Sequence, residues 1–259
     1  MGRPVELSWP EYDFLWEHFD LGSFHPILDI PSHGRTFAER DDLRRAAWRS
    51  LSARGLGEPG DFDPRLEKWL RRLAGPEWEL DGRLHPRLDQ PRVSALIAGR
   101  GAQATVAVLD RRALGLCSVT RARASATAVS LLPPCPPGTG QSVTVPADDL
   151  DAAAKRAGSD PSVFAAALAS RGVGRADAGK LAEVVGNTMR VAHFGAARTP
   201  RFQRRVRASY VVSVYDTDRH RYLFTRRPSA ARHWVTLAPG TESAITRQIE
   251  ELFGTLPRS

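Results

Sequence analysis

Residues 92–120 read RVSALIAGRGAQATVAVLDRRALGLCSVT. Val93, Ala95 and Ile97 alternate with their neighbours, and so do Val106 and Val108. A period of two belongs to strands rather than helices. The breaks are short, GRG at 99–101 and DRR at 110–112, so consecutive strands must run antiparallel. EWELDGRLH, residues 77–85, adds a strand before this stretch, and RASATAVSLL, 123–132, a short helix after it. The same order returns further along. RVAHFGAAR (190–198), RASYVVSVYD (207–216), RYLFTRR (221–227) and HWVTLAP (233–239) read as strands. A helix with Ile245, Ile249, Leu252 and Phe253 on one face follows them. Laid over each other, the copies match Val93 with Tyr210 and Val119-Thr120 with Val235-Thr236. Two copies at so long a period are not a solenoid. They predict an α+β fold, a pseudo-twofold single domain whose central antiparallel β-sheet is built from two meanders. The expected halves are 1–133 and 142–259, joined by the Pro/Gly-rich segment 133–141 within one domain, 1–259.

Helices flank both meanders. In PEYDFLWEHFDLG, Tyr12, Leu15, Trp16 and Phe19 share a face, and Gly22 fits the end. In DPRLEKWLRRL, Asp63 caps, Pro64 takes the first position, and Leu66, Trp69, Leu70 and Leu73 face inward. The second half has 145–158, 160–172 and 174–189 as short, alanine-rich helices. Two helical bundles beside the sheet are therefore expected.

Between the first helices lies IPSHGRTFAER, residues 30–40. Ser32, His33 and Glu39, with Asp41 and Asp42 beyond, have the composition of a hydrolytic site. The spacing reads differently. Thr36 and Glu39 form a capping box, and the two aspartates sit where the helix dipole favours acids. Leu43, Ala47 and Leu51 continue that helix, and Gly55 closes it. The acids are thus accounted for structurally, and His33 is a lone loop histidine. No G-x-S-x-G, P-loop, H-E-x-x-H or C-x-x-C occurs, and the seven histidines are scattered. DTDRH at 216–220 reads as a hairpin turn rather than a cation site. The expectation is a non-enzyme with no cofactor and no metal.

Apolar residues at 42% and charged residues at 25% are ordinary for a soluble globular chain. There is no signal-peptide-like start and no apolar run of membrane length, and the two cysteines, Cys117 and Cys135, cannot make a disulfide framework. A cytoplasmic protein is expected. The net charge of +8 is carried by arginine, because only Lys68, Lys155 and Lys180 are lysine. It is also uneven. Residues 190–235 hold eleven arginines against Asp216 and Asp218, whereas residues 1–60 hold seven against ten acids. RTPRFQRRVR, 198–207, raises an alternative reading, a nucleic-acid-binding protein gripping phosphates with Arg201, Arg204, Arg205 and Arg207. A solvated loop explains the same charge, and no nucleic-acid fold motif accompanies it.

Over nearly its whole length the chain resembles the EspG family of actinobacterial proteins linked to type VII (ESX) secretion. The resemblance is carried, in family order, by WPEYDFLWEHFDLG, LDIPSHGRTFAERDDLRRAAWRSLSARGL, DPRLEKWLRRLAGPE, LLPPCPPGTGQSVTVPADDL, FGAARTPR, VVSVYDTDRHRYLFTRR and HWVTLAPG. It implies a cytosolic, non-enzymatic chaperone. Such a protein binds the aggregation-prone helical tip of a PE–PPE-like heterodimer, or another helical-hairpin ESX substrate, and keeps it soluble for export. No membrane partner and a monomer or weak homodimer are expected. The partner surface implied is a loop between two N-terminal strands, here LHPRLDQP (84–91) with Leu84, His85, Arg87 and Leu88, and the C-terminal bundle with Phe164, Leu168, Val173, Leu181, Val184 and Val185. Small side chains on those helices offer a close-approach surface, whereas Trp9, Trp16, Trp48 and Trp69 suit a permanent core in the N-terminal half. Phe164 and Leu168 are the expected client anchors.

Overall fold

Alternation in the meanders produces what it predicts, one large antiparallel sheet. The computed structural model describes residues 4–200, 204–227 and 232–257. The first half contributes β1 (Val5–Ser8), α1 (Trp9–His18), α2 (Phe37–Ala53), the small ribbon β2 (Gly57–Glu58) and β3 (Asp61–Phe62), and α3 (Pro64–Ala74). β4 (Trp78–His85), β5 (Val93–Arg100), β6 (Gln103–Leu109), β7 (Ala113–Thr120) and α4 (Ala124–Ser130) follow. The second half contributes β8 (Val143–Pro146), α5 (Ala147–Ala157), α6 (Pro161–Ala169), α7 (Arg175–Gly186) and β9 (Thr188–Arg198). The short β10 (Val206–Arg207), β11 (Val212–Thr217), β12 (Arg221–Arg227), β13 (Trp234–Pro239) and α8 (Glu242–Gly254) complete it.

The strand order is β1-β7-β6-β5-β4-β9-β11-β12-β13-β8, with β10 paired to β9. Read from either end, the order meets equivalent strands, so the halves join through the β4–β9 pair about a pseudo-twofold. Ala95, Ile97 and Val106 occupy the places that Val212, Val214 and Leu223 occupy in the other half, all on one face of the sheet. There they pack beneath Ala128 and Val129 of α4 and Ile249 and Phe253 of α8. The other face carries two separate cores. Tyr12, Trp16, Trp69 and Leu70 pack on Leu96, Leu114 and Leu116 in the first half. Phe164, Leu168 and Leu181 pack on Val235 and Leu237 in the second.

Two expectations are corrected. Each half adds an edge strand to the four expected, because β1 and β8 close the sheet by pairing with β7 and β13, and the second half adds the short β10 beside β9 as an eleventh strand. Four residues are too few to show a period, yet short edges are what limits edge-to-edge association. A start signal was present: Ser8 Oγ accepts from Glu11 N (3.4 Å) and Glu11 Oε2 accepts from Ser8 N (2.8 Å), a capping box that opens α1. The match of Val119 with Val235 also fails. Val119 faces α4 and α8, whereas Val235 faces α5–α7. Leu114 and Leu116 are the structural counterparts of Val235 and Leu237, since each alternates into its own bundle. The longer β12–β13 connection absorbs the difference, and the shared Val-Thr pair obscured it.

Candidate functional site

The loop at 30–40 is organised by one guanidinium. Arg40 donates from Nη1 to Asp13 Oδ2 (3.1 Å), Ser32 Oγ (3.0 Å) and the His33 carbonyl (2.7 Å), and from Nη2 to Glu17 Oε2 (2.5 Å). Ser32 therefore serves Arg40 rather than His33. His33 sits with Nδ1 3.4 Å from Asp13 and its ring edge-on to Trp9. Thr36 caps α2 by accepting from Glu39 N (3.2 Å), while Glu39 Oε2 accepts from Arg35 N (2.8 Å), one residue earlier than a capping box requires. These contacts fasten the α1–α2 connection and leave no nucleophile–base pair. Thr36→Ala is expected to cost about 1 kcal/mol in chemical denaturation, while His33→Ala leaves partner binding unchanged.

Between the two bundles, the sheet face they share carries a polar seam. Glu79 and Asp81 of β4 are buried there. Glu79 Oε1 accepts from His25 Nε2 (3.2 Å), and from Arg205 through Nε (2.9 Å) and Nη2. Arg207 meets Asp81 with both terminal nitrogens (2.5 and 2.9 Å), and Arg83 adds a contact at 3.2 Å. Burial alone would raise the Glu79 carboxyl, but hydrogen bonds from His25 and Arg205 outweigh it and hold it below the ordinary range. Arg207 reaches Asp81 over Gly195, where a Cβ would lie 2.1 Å from its Nη2. Two of the arginines assigned to phosphates under the nucleic-acid reading are therefore corrected. Arg205 and Arg207 neutralise buried carboxylates 126 residues away in sequence and bind the segment after β9 to β4. Arg204 is exposed, and Arg201 lies outside the described residues.

The residues expected to meet a partner separate into two groups. Phe164 and Leu168 are 5% and 0% exposed, so their assignment as anchors is corrected: both are core of the α5–α7 bundle. Leu181 and Val184 are buried with them, and Val173 packs at the margin. The alanines of α6 let its neighbours close over the two large side chains. Leu84 is likewise buried, on the α4/α8 side of the sheet. Leu88 and Val185, by contrast, are 60% and 52% exposed. Arg87 is exposed and pairs with Asp89 (3.2 Å).

Topology brings the exposed members together. His85, last in β4, pairs with Val191 of β9, and β9 begins two residues after α7 ends. Loop 86–92 and the C-terminus of α7 therefore share one end of the sheet. Met189, which sequence reasoning passed over, is 45% exposed at the same end. An apolar hollow opens on each face of the sheet. One of ≈ 120 Å³ is lined by Leu84, His85, Leu131, Leu132, Arg190 and Val214. The other, ≈ 190 Å³, lies inside the second bundle against Leu150, Phe164, Val184, Val185 and Tyr215. Leu84, His85, Phe164, Leu181 and Val184 thus line hollows rather than project from the surface.

Among the described residues no three histidine, cysteine or carboxylate side chains come together as metal ligands, and no helix is long and apolar enough to cross a membrane. No curated protein matches the chain. The structure of the Mycobacterium tuberculosis type VII secretion system chaperone EspG5, in complex with a PE25–PPE41 dimer, is similar with a TM-score of 0.80 and 16% identity. The likeness covers 99% of this chain and 98% of that one. At that identity it carries the fold. The EspG family model matches residues 8–251, from the cap of α1 into the last turns of α8, and so the chain belongs to the EspG family.

Proposed function

We propose that this chain is a cytoplasmic chaperone of a type VII secretion system, holding a PE–PPE-like heterodimer, or another helical-hairpin substrate, by its helical tip until export. One observation carries the reading: the chain matches, end to end, the fold of a chaperone solved with a PE25–PPE41 dimer. The end of the sheet at loop 86–92 supports it. Leu88, Val185 and Met189 offer apolar contact, the two hollows are of a size to take aliphatic side chains, and Arg87, Arg190 and Asp151 give a polar rim. Helical tips expose apolar ends that self-associate unless covered. Holding such a tip requires surface complementarity and no catalysis, consistent with the Ser32–His33 loop being occupied by Arg40.

Coexpression with a PE–PPE-like pair from the same genome tests this. The pair should become soluble and elute as one complex with the chain. An insoluble pair, with the chain eluting alone, contradicts the reading.

A further inference from the structure

The pseudo-twofold relates two opposite ends of the sheet, and their chemistry differs. In the second-half hairpin, Asp216 faces Arg221 across β11 and β12; in the first-half hairpin the same places hold Gly99 and Ala104. Asp216 takes two hydrogen bonds from Arg221, each 2.7 Å, and lies 4.0 Å from Arg190. The first-half end has no acid at that place. Instead the indole of Trp78 lies across Gly99, where a Cβ would be 2.1 Å from the ring.

Two arginines belong to this end of the sheet. Arg121 stacks on Trp78 and Phe253, with Cζ 4.8 and 4.1 Å from the ring centroids. Arg198 is the register partner of Trp78. The Arg198 Nε is buried and has no hydrogen-bond partner among the described residues. Burial lowers the Arg121 pKa, the Arg198 charge lowers it further, and Glu250 opposes both. The other arginines drawn into the fold, Arg40, Arg205, Arg207 and Arg221, each meet a carboxylate directly. Here Glu250 is the acid that acts on Arg121, while Glu77 at the same end turns its Oε2 to the Gly101 amide (2.8 Å).

We propose that Arg121 and Arg198 form a binding site for a single phosphate-type oxyanion, free or carried on a phosphorylated side chain, at the end of the sheet opposite loop 86–92. The planar guanidinium fork suits tetrahedral oxyanions, and the two rings hold Arg121 in place before the anion arrives, which lowers the entropy lost on binding. The site is independent of the chaperone reading.

The test is a titration of the full chain with inorganic phosphate at constant ionic strength, against chloride, followed by thermal unfolding. Each variant is scored as the shift from its own Tm. Wild type should respond saturably, with a rise of about 2 °C or more. Arg198→Gln, and Arg121→Lys, which keeps the charge but loses the fork, should each weaken phosphate at least about tenfold, the loss of roughly one charge-assisted hydrogen bond. Glu250→Gln should tighten it by removing the competing acid. A phosphoserine tripeptide titrated in parallel separates the sources. Affinity equal to phosphate marks a site for the ion, and tighter binding marks a site for a phosphorylated chain. No saturable response in wild type, or an undiminished response in either arginine variant, overturns the proposal.

Discussion

Leu168→Asp is expected to unfold the α5–α7 bundle rather than weaken a surface contact. Leu168 is 0% exposed and packs with Phe164, Leu181, Val235 and Leu237. Removing a buried leucine side chain costs about 2–5 kcal/mol from lost contacts and the cavity left behind. An aspartate there would also carry a carboxylate into an apolar core with no partner, which adds to that cost. The expected result is early loss of helical circular dichroism and protease cleavage within 147–186. A variant that unfolds cooperatively at the wild-type temperature would place Leu168 on the surface.

Arg221→Met should be nearly as damaging. Arg221 and Asp216 are both buried at 3% exposure, and Arg221 Nη2 also donates to the Pro133 carbonyl (2.6 Å). The backbone of Arg221 holds the same connection, donating to Pro136 O (2.7 Å) and accepting from Gly138 N (2.7 Å). The residue therefore fastens the Pro/Gly-rich segment between the halves to β12. Loss of the guanidinium leaves buried Asp216 with only the more distant Arg190 (4.0 Å), a loss of about 3 kcal/mol in stability. The double variant Asp216→Leu/Arg221→Met should recover most of it, because a buried pair replaced by apolar groups is close to neutral. Equal instability of single and double variants in urea denaturation would count against the ion pair as the cause.

The sequence carried the fold wherever the period was long enough to read. The strands around Val93, Val106 and Val214 follow from alternation, and α1 and α3 from their apolar faces. Thr36 showed that the acids after it belong to a helix start rather than a catalytic group. Four-residue edge strands hold too few alternations to register, so β1 and β8 went unseen. On alanine-rich α6, Phe164 and Leu168 share one side, but nothing local says whether that side faces the sheet or a partner. The Glu79–Arg205 and Asp81–Arg207 pairs join residues 126 apart, and only β4–β9 pairing brings them together. The basic stretch therefore read as free charge. The proposed docking end was legible as two separate segments, and the register of His85 with Val191 makes them neighbours.

The most direct test of the proposed docking end is the affinity of the purified chain for a PE–PPE-like heterodimer, measured for wild type and for Leu88→Asp/Val185→Asp. Both positions are exposed, so the variant should keep the wild-type Tm. Two apolar contacts replaced by charge at the centre of an interface should cost about 3 kcal/mol or more, a Kd weakened on the order of a hundredfold. Wild-type affinity in a variant of unchanged Tm, or no binding by wild type, would contradict docking at this end of the sheet.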